Sequence, residues 1–445
     1  MEVHGRRTIV GLLLPAILLV TVAAFAPQSA YERDIAFALD ELEKRCGHFF
    51  ASKSIDWSAV RAEFTKSAKT TKSDGEHLVQ LVRLLARLED GHSRVLPLAK
   101  GESVQWPKDA GVETELTGVG LTRIGTKLYV RKNLSTANVP AGSELVSVDG
   151  VKAATWFEKR AAAIAEFESY STPHHREFSV FAFGLSGADG ATLRVEVVPP
   201  GGRKNSVTLQ CSRKMPPPRG PAVVPADAKD MGDGFLAGTT PKGFGYLAIP
   251  EIPGDLPERL DAILERFAAS PGLILDFRGN KGGGCDHDAV LARFIPLGHT
   301  HARKDSSPIQ GAGKSPYGGP IVVLVDGLTV SAAETVSGTF KEDGRGYMLG
   351  ESPTAGMSGQ KEELELPSGL FALRITTQSN KGRFNGGKGV EGIGVPPHEI
   401  VAFTAKDLAN GVDSVIARAE AVLAKFPQGE VPYDPEQAGW KRAKQ

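Results

Sequence analysis

The chain has 445 residues, and its 52 Lys and Arg side chains balance its 52 Asp and Glu side chains, so that the formal net charge is zero. This balance excludes a global field that would recruit nucleic acid or an anionic membrane surface. The three cysteines, Cys46, Cys211 and Cys285, are too few and too scattered for a disulfide framework or a thiolate metal site. We therefore expect neither metal nor cofactor.

The first thirty residues predict an export signal. Arg6 and Arg7 precede an apolar run from Ile9 to Phe25, and small residues follow up to Ala30. The run is also close to the length that a membrane helix needs, so an anchor retained over residues 8–26 is the alternative. We expect a periplasmic or extracellular protein, with the membrane as a partner only if this segment stays attached.

Residues 31–108 predict a helical domain, because leucines recur at spacings of three and four: Leu78, Leu81, Leu84, Leu85 and Leu88. The pattern ends at the sequence EDGHS of residues 89–93, which places His92 at a turn. Residues 109–212 alternate apolar and polar side chains in short runs with Asp-Gly turns, which indicates a β-rich domain. Residues 213–240 contain three consecutive prolines and several glycines and predict a semi-rigid linker.

Residues 241–427 predict an α/β core, in which apolar strand-like runs at 245–249, 273–277 and 321–325 alternate with helical patterns at 256–269 and 331–342. Residues 406–425 predict one last helix, and residues 428–445 a C-terminal tail.

Ser331 lies where a buried strand leads into a helix, at a position where free amides and the helix dipole favour developing negative charge. The same residues, SAAE, also form a capping box, in which the serine is only a helix cap. A glycine-rich loop, DFRGNKGGG, follows another buried strand at residues 276–284. It suits an oxyanion hole made by the amides of Gly282 or Gly283, a phosphate cradle or a plain tight turn.

A serine nucleophile needs a base, and His92 at its turn is the leading candidate among ten histidines. His174, His175, His299 and His301 lie in polar, loop-like stretches; the last two form a metal-like fragment without a third ligand. An acid should orient the base, and Glu334, Glu342 and Glu391 are all candidates that spacing alone does not separate.

Taken together, these segments resemble peptidase family S41, which includes the C-terminal-processing proteases and the tricorn core. The resemblance rests on seven segments in order: IDW at 55–57, LEDGHS at 88–93, PAGSELVSVDG at 140–150, LILDFRGNKGG at 273–283, the block from Val325 to Gln360, RITT at 374–377, and GVEGIGVPP at 389–397. It implies an N-terminal helical domain, a PDZ-like β domain and a ClpP/crotonase-like α/β core.

The family has a Ser/Lys branch and a Ser/His/Glu branch, and the resemblance assigns this chain to the second. Residues 354–359 read TAGMSG and lack the lysine of the first branch, whereas Glu391 follows Ser331 by 60 residues (391 − 331) in the matching motif. The resemblance thus implies Ser331, His92 and Glu391 as catalytic residues and the amides of Gly282, Gly283 and Ala332 as the oxyanion hole.

The implied function is an exported serine endopeptidase that acts on proteins or peptides, engaged through their C-termini, and not on nucleic acid. Two alternatives remain open. One is an inactive protein of the same fold that binds a hydrophobic ligand or peptide tails. The other is an interaction scaffold in which the PDZ-like domain carries the function.

Overall fold

The structure is a computed structural model that describes residues 28–107, 115–304, 306–357 and 359–426. Most of the expected export signal, residues 1–27, and the expected tail, residues 428–445, lie outside the described residues. Among the helices that the structure does describe, none is both long enough and apolar enough to cross a membrane.

Three helices and a short strand form the first part of the chain: α1 (Ala30–Phe50), α2 (Trp57–Ala68), α3 (Asp74–Ala86) and β1 (Arg94–Pro97). Each helix begins at a polar cap: Ser29, Asp56 and Ser73 accept amide hydrogen bonds in the first turns of α1, α2 and α3. Leu81, Leu84 and Leu85 are buried, as the leucine spacing predicts.

The middle part is built around an antiparallel sheet with the strand order β3-β4-β5-β8-β9, and β6 pairs with β5. Two helices pack against it through a core of buried apolar side chains. The elements are β2 (Glu115–Leu116), β3 (Val119–Ile124), β4 (Lys127–Asn133), β5 (Glu144–Val148), β6 (Val151–Lys152), α4 (Ala153–Ala165), α5 (Pro173–Phe183), β7 (Ser186–Gly187), β8 (Thr192–Val198) and β9 (Asn205–Gln210).

The third part contains a seven-stranded sheet with the order β10-β11-β12-β13-β16-β17-β20, parallel from β12 onwards. Its strands are β10 (Lys229–Asp230), β11 (Leu236–Thr239), β12 (Gly245–Ala248), β13 (Leu273–Asp276), β16 (Ile321–Val325), β17 (Tyr347–Gly350) and β20 (Glu399–Ile400). Its helices are α6 (Leu256–Ile263), α7 (His287–Ala292), α8 (Ala332–Glu342), α9 (Ala405–Ala409) and α10 (Ser414–Leu423), and 3-10 turns cover Leu264–Phe267 and Asn385–Gly387. A two-stranded ribbon, β14 (Thr300–His301) and β15 (Ile309–Gln310), completes this part of the fold.

A hairpin of the third part leaves the main sheet and joins the N-terminal helices. Its strands β18 (Gly359–Glu365) and β19 (Phe371–Ser379) form a three-stranded sheet with β1. Leu373 and Ile375 of β19 belong to the same buried cluster as Leu42 and Leu84 of the helices. The first and third parts of the chain therefore share one hydrophobic core.

The glycine-rich loop after β13 is anchored by a fully buried arginine. Arg278 forms ion pairs with Asp276 at 2.7 Å and Asp413 at 3.0 Å, and its Nη1 lies 3.4 Å from Glu351. Burying such charges is tolerable only when they are paired and hydrogen-bonded. The network fixes the loop against the start of α10.

Two expectations from the sequence are wrong in detail. The expected last helix, 406–425, is two helices, because Gly411 takes a positive φ of 66° and Asp413 caps α10. The expected linker, 213–240, contains β10 and β11, which extend the main sheet at its antiparallel edge. The segment is rich in proline and glycine, which is typical of a linker, and these short strands were therefore not predicted.

Candidate functional site

The turn that presents Ser331 is strained. It connects β16 to α8, and Ser331 has φ 56° and ψ −124°, a conformation that non-glycine residues rarely adopt. Such a residue costs about 1–3 kcal/mol and persists only where its surroundings enforce it. The observation marks Ser331 as more than a helix cap.

Glu334 holds this turn in place. Its carboxylate accepts the Ser331 N–H at 2.9 Å, as in the capping box that the sequence predicts. It also accepts the amides of Gly356 at 2.6 Å and Met357 at 2.9 Å and the Thr354 hydroxyl at 2.7 Å. Burial raises the pKa of Glu334 to about 7, although these hydrogen bonds lower it. One buried carboxyl group thus connects the Ser331 turn to loop 354–357.

His92 lies beside Ser331 although the two residues are far apart in the chain. Its Nε2 lies 3.0 Å from Ser331 Oγ, across a sequence separation of 239 residues. The Asp90 carboxylate shapes the turn around it by accepting the His92 N–H at 3.0 Å and the Ser93 hydroxyl at 2.8 Å. The pairing of β1 with β19 then begins at Arg94, opposite Arg374. His92 is consequently held between a local turn and a long-range strand pair.

The environment of His92 keeps its imidazole neutral. Burial lowers the pKa of His92 to about 4; Asp90 opposes the shift, and the nearby cations Lys361, Arg94 and Arg374 add to it. A neutral imidazole at hydrogen-bond distance from a serine hydroxyl can accept its proton.

Two carboxylates lie near the other ring nitrogen of His92. His92 Nδ1 is buried and has no hydrogen-bond partner among the residues that the structure describes. Asp90 Oδ1 lies 3.9 Å from it, and one carboxylate oxygen each of Asp90 and Glu391 and one His92 ring nitrogen all lie within 4.8 Å of one another. The family resemblance implied Glu391 as the orienting acid, and Asp90 was not predicted for this role, although it lies in the same EDGHS motif as His92.

Lys53 is a further member of the site that no sequence motif identified. Its ammonium group donates to Glu391 Oε1 at 2.8 Å and to the Glu89 carbonyl oxygen at 2.7 Å. The Lys53 and Glu391 side chains are only 5% and 2% exposed. Burial raises the pKa of Asp90, but the Lys53 and His92 charges and local hydrogen bonds bring it below its ordinary value. Lys53 thus stabilises the negative charge beside His92.

The glycine loop approaches Ser331 so closely that side chains are excluded. A Cβ on Gly282 would lie 2.8 Å from Ser331 Cβ, and one on Gly283 would lie 2.0 Å from the Ile252 carbonyl oxygen. Both glycines have positive φ, 76° and 135°. Because a side chain would clash at both positions, they require glycine. The backbone at Gly282 can therefore lie directly against Ser331.

The expected oxyanion donors divide into two groups. The Gly282 N–H donates to Asn280 Oδ1 at 2.8 Å. Its expected role as an oxyanion donor is therefore wrong, because this amide is already bound. The amides of Gly283 and Ala332 donate to no group in the described part of the chain. Free N–H groups beside a nucleophilic serine are the groups that bind an oxyanion.

One group of side chains in the described residues has the spacing of metal ligands: Asp90, His92 and Glu391. The Lys53 ammonium already places a positive charge on Glu391, and His92 Nε2 is directed at Ser331, so this arrangement suits proton transfer better than metal binding. His301, from the metal-like fragment, is buried and lies 2.8 Å from the Asp343 carbonyl oxygen through Nε2. His174 likewise lies 2.7 Å from the Thr354 carbonyl oxygen.

Comparison with known proteins relates part of this chain to a family of peptidases. Residues 243–401 match the model of peptidase family S41. A carboxyl-terminal-processing protease of Picosynechococcus sp. is 23% identical over 414 residues, which cover 87% of this chain and 89% of that protein. The putative tricorn protease homolog 2 of Streptomyces coelicolor is 29% identical over 194 residues, which span 43% of this chain but only 16% of that protein.

A crystal structure of mature CPAF has the same overall fold, with a TM-score of 0.61 at 14% identity over 88% of this chain and 96% of that one. The family model, the relatives and the fold agree with the motifs read from the sequence. Residues 243–401 of the chain therefore match peptidase family S41, a family of serine-type peptidases.

Proposed function

We propose that the protein is an exported endopeptidase that cleaves peptide bonds through an acyl-enzyme formed on Ser331. The observation that carries this proposal is the 3.0 Å contact between His92 Nε2 and Ser331 Oγ, made by residues that are 239 positions apart in the chain. Residues 1–30 would direct export, and proteins or peptides would be the substrates. Residues 109–212 would form a PDZ-like domain that engages peptide ends, and residues 241–427 a ClpP/crotonase-like core.

The proposed reaction begins when Ser331 Oγ attacks the carbonyl carbon of the scissile bond and His92 Nε2 takes its proton. The amides of Gly283 and Ala332 stabilise the resulting oxyanion. His92 then returns the proton to the leaving amine, which departs as the acyl-enzyme forms. Water hydrolyses the ester, with His92 again acting as the base.

The imidazolium that forms in each step requires a negative counter-charge. Glu391, the expected orienting acid, and Asp90 both lie beside His92 and supply it. Lys53 fixes the Glu391 carboxylate by its hydrogen bond at 2.8 Å. We assign the orienting role to the two carboxylates together, and Lys53 acts through them as a positioning residue.

Ser331→Ala and His92→Ala test the assignment, with Lys361→Ala as the matched control. The first change removes the nucleophile, and kcat/KM for a fluorogenic peptide should fall by roughly 10³-fold or more. The second removes the base and should lower kcat/KM by roughly 10²–10⁴-fold. Lys361→Ala should stay near wild type at pH 8. An inactive Lys361→Ala beside an active His92→Ala would assign a Ser/Lys mechanism instead.

The pH dependence provides a second test. The neutral form of His92 is the base, so kcat/KM should fall as the pH drops through a pKa of about 4 and not through the ordinary histidine value. Lys361→Gln removes a cation that lowers the pKa of His92, and should move this acid limb to higher pH. Asp90→Asn should move it to lower pH. An acid limb near pH 6.5 that neither change moves would contradict the role of His92.

Lys53→Met should leave the buried Glu391 carboxylate without its ammonium partner. Removing one partner of a buried ion pair costs about 3–5 kcal/mol. We therefore expect the free energy of unfolding, measured in urea, to fall by that amount, and kcat to be lower. Lys53→Met combined with Glu391→Gln should lose less stability than the two single changes added together. Lys44→Met, which removes a 72% exposed lysine from α1, is the control and should leave both quantities unchanged. Strict additivity in the double variant would contradict the pairing.

A further inference from the structure

A cavity of about 570 Å³ opens beside the candidate catalytic residues. Its walls include Gly91, Lys281 and Val330, which are the sequence neighbours of His92, Gly282 and Ser331. Met357, from the loop that Glu334 holds, also lines it. A group of the substrate that is bound here would therefore lie within a few residues of the scissile bond.

The walls of the cavity are predominantly cationic. Among the described residues, Arg94, Arg160, Arg219 and Lys281 line it, against a single carboxylate, Glu168. Four positive charges and one negative charge leave an excess of three, in a chain whose net charge is zero. Concave walls concentrate such a field and favour an anionic ligand.

Arg219 is the cation of this set whose guanidinium contains a buried nitrogen without a hydrogen-bond partner among the described residues. One of its terminal nitrogens donates to the Leu328 carbonyl oxygen at 3.3 Å, and its buried Nε has no hydrogen-bond partner among the described residues. Asp326 acts on it electrostatically, but no carboxylate in the described part of the chain lies within the 4 Å of an ion pair. Burying a guanidinium group without a counter-ion is unfavourable, and a ligand carboxylate would relieve this cost.

Two buried arginines elsewhere in the protein, Arg278 and Arg131, do have carboxylate partners. Arg278 is paired with Asp276 and Asp413, and Arg131 is paired with Glu351. Arg219 differs from these two arginines in having no carboxylate partner among the described residues.

The segment that carries Arg219 is held rigidly. It follows three prolines, and the Arg219 N–H donates to the Pro217 carbonyl oxygen at 2.9 Å. The next residue, Gly220, packs against the catalytic glycine loop: a Cβ on Gly279 would lie 2.4 Å from Gly220 N. The backbone that carries the Arg219 side chain is thus packed against the loop beside Ser331.

We propose that this cavity is a substrate subsite for a peptide carboxylate, with Arg219 as the residue that determines this specificity. The carboxylate belongs either to the C-terminus of the substrate or to an Asp or Glu side chain near the scissile bond. Ile164, Phe183 and Leu328 form apolar walls that receive the carbon skeleton next to it. The proposal rests on the peptidase function proposed above and specifies its substrate class.

The test begins by mapping, with mass spectrometry, the cleavage sites of the wild-type protein in a mixed peptide pool. Carboxylates should be enriched at one fixed distance from the cleaved bond. Synthetic pairs then separate the two sources: a free C-terminus against its amide, and Glu against Gln at the enriched position. The wild type should prefer the carboxylate member of one pair by about tenfold to a hundredfold in kcat/KM, the range of a charge-assisted hydrogen bond.

Arg219→Gln should abolish this preference while activity on the neutral peptides remains. Arg219→Lys should retain part of it, because the charge is kept and the planar geometry is lost. Arg213→Gln is the matched control, since this arginine lies on the same segment with a side chain that is 74% exposed. It should behave like the wild type.

A wild-type enzyme that cleaves without carboxylate preference, or a preference that survives Arg219→Gln, would overturn the subsite. Failure of the peptidase function is distinguished by cleavage of the neutral, C-terminally amidated peptides, which does not involve the subsite. If those peptides are not cleaved, the subsite is tested by binding alone. Isothermal titration calorimetry then compares the affinities of the Ser331→Ala protein for the two members of each peptide pair. Equal affinity for the acid and the amide members would then reject it.

Discussion

The antiparallel pairing of β1 with β19 is the constraint on which the candidate site depends. β1 starts two residues after His92, and its register with β19 sets how far the histidine turn extends towards the core sheet. The hairpin that contains β19 is held in turn by apolar contacts with the N-terminal helices, which share a buried cluster with it. Strand pairing of this kind is strongly specified when one face is buried, because a slip of one residue would expose that face. The long-range meeting of His92 with Ser331 thus follows from a shared hydrophobic core.

The candidate site also depends on the strained backbone of Ser331 and on the hydrogen bonds that stabilise it. Ser331 has a positive φ, and the Glu334 carboxylate compensates by binding its N–H together with two amides and a hydroxyl of loop 354–357. Because Gly282 lies directly against Ser331, the loop and the serine turn fix each other by contact. The Gly282 amide is bound to Asn280, whereas the Gly283 and Ala332 amides have no partner among the described residues and are the proposed oxyanion donors. Strain at the nucleophile is offset by polar groups that are themselves almost wholly buried.

Sequence reasoning predicted what short-range patterns encode. The alternating strands of the middle part, the buried strands β13 and β16 and the helix after Ser331 all follow from periodicity and capping. It did not predict that β18 and β19 pack on the N-terminal helices, since strand partners far apart in sequence leave no local signal. Lys53 was not predicted for the same reason, because its partner, Glu391, lies 338 residues away. Its sequence neighbours, Ser-Lys-Ser, are typical of an exposed turn. Asp90 was overlooked because its role appears only once the turn brings it beside the imidazole.

The most direct test of the central claim, that His92 activates Ser331, is the site of covalent labelling by a fluorophosphonate probe. The modified residue is identified by mass spectrometry of peptides from the folded wild-type protein and from His92→Ala protein. We predict that the wild type carries the adduct on Ser331 and that labelling slows by roughly 10²-fold or more when the imidazole is removed. Labelling of a different serine in an active enzyme, or equal rates on Ser331 with and without His92, would contradict the account.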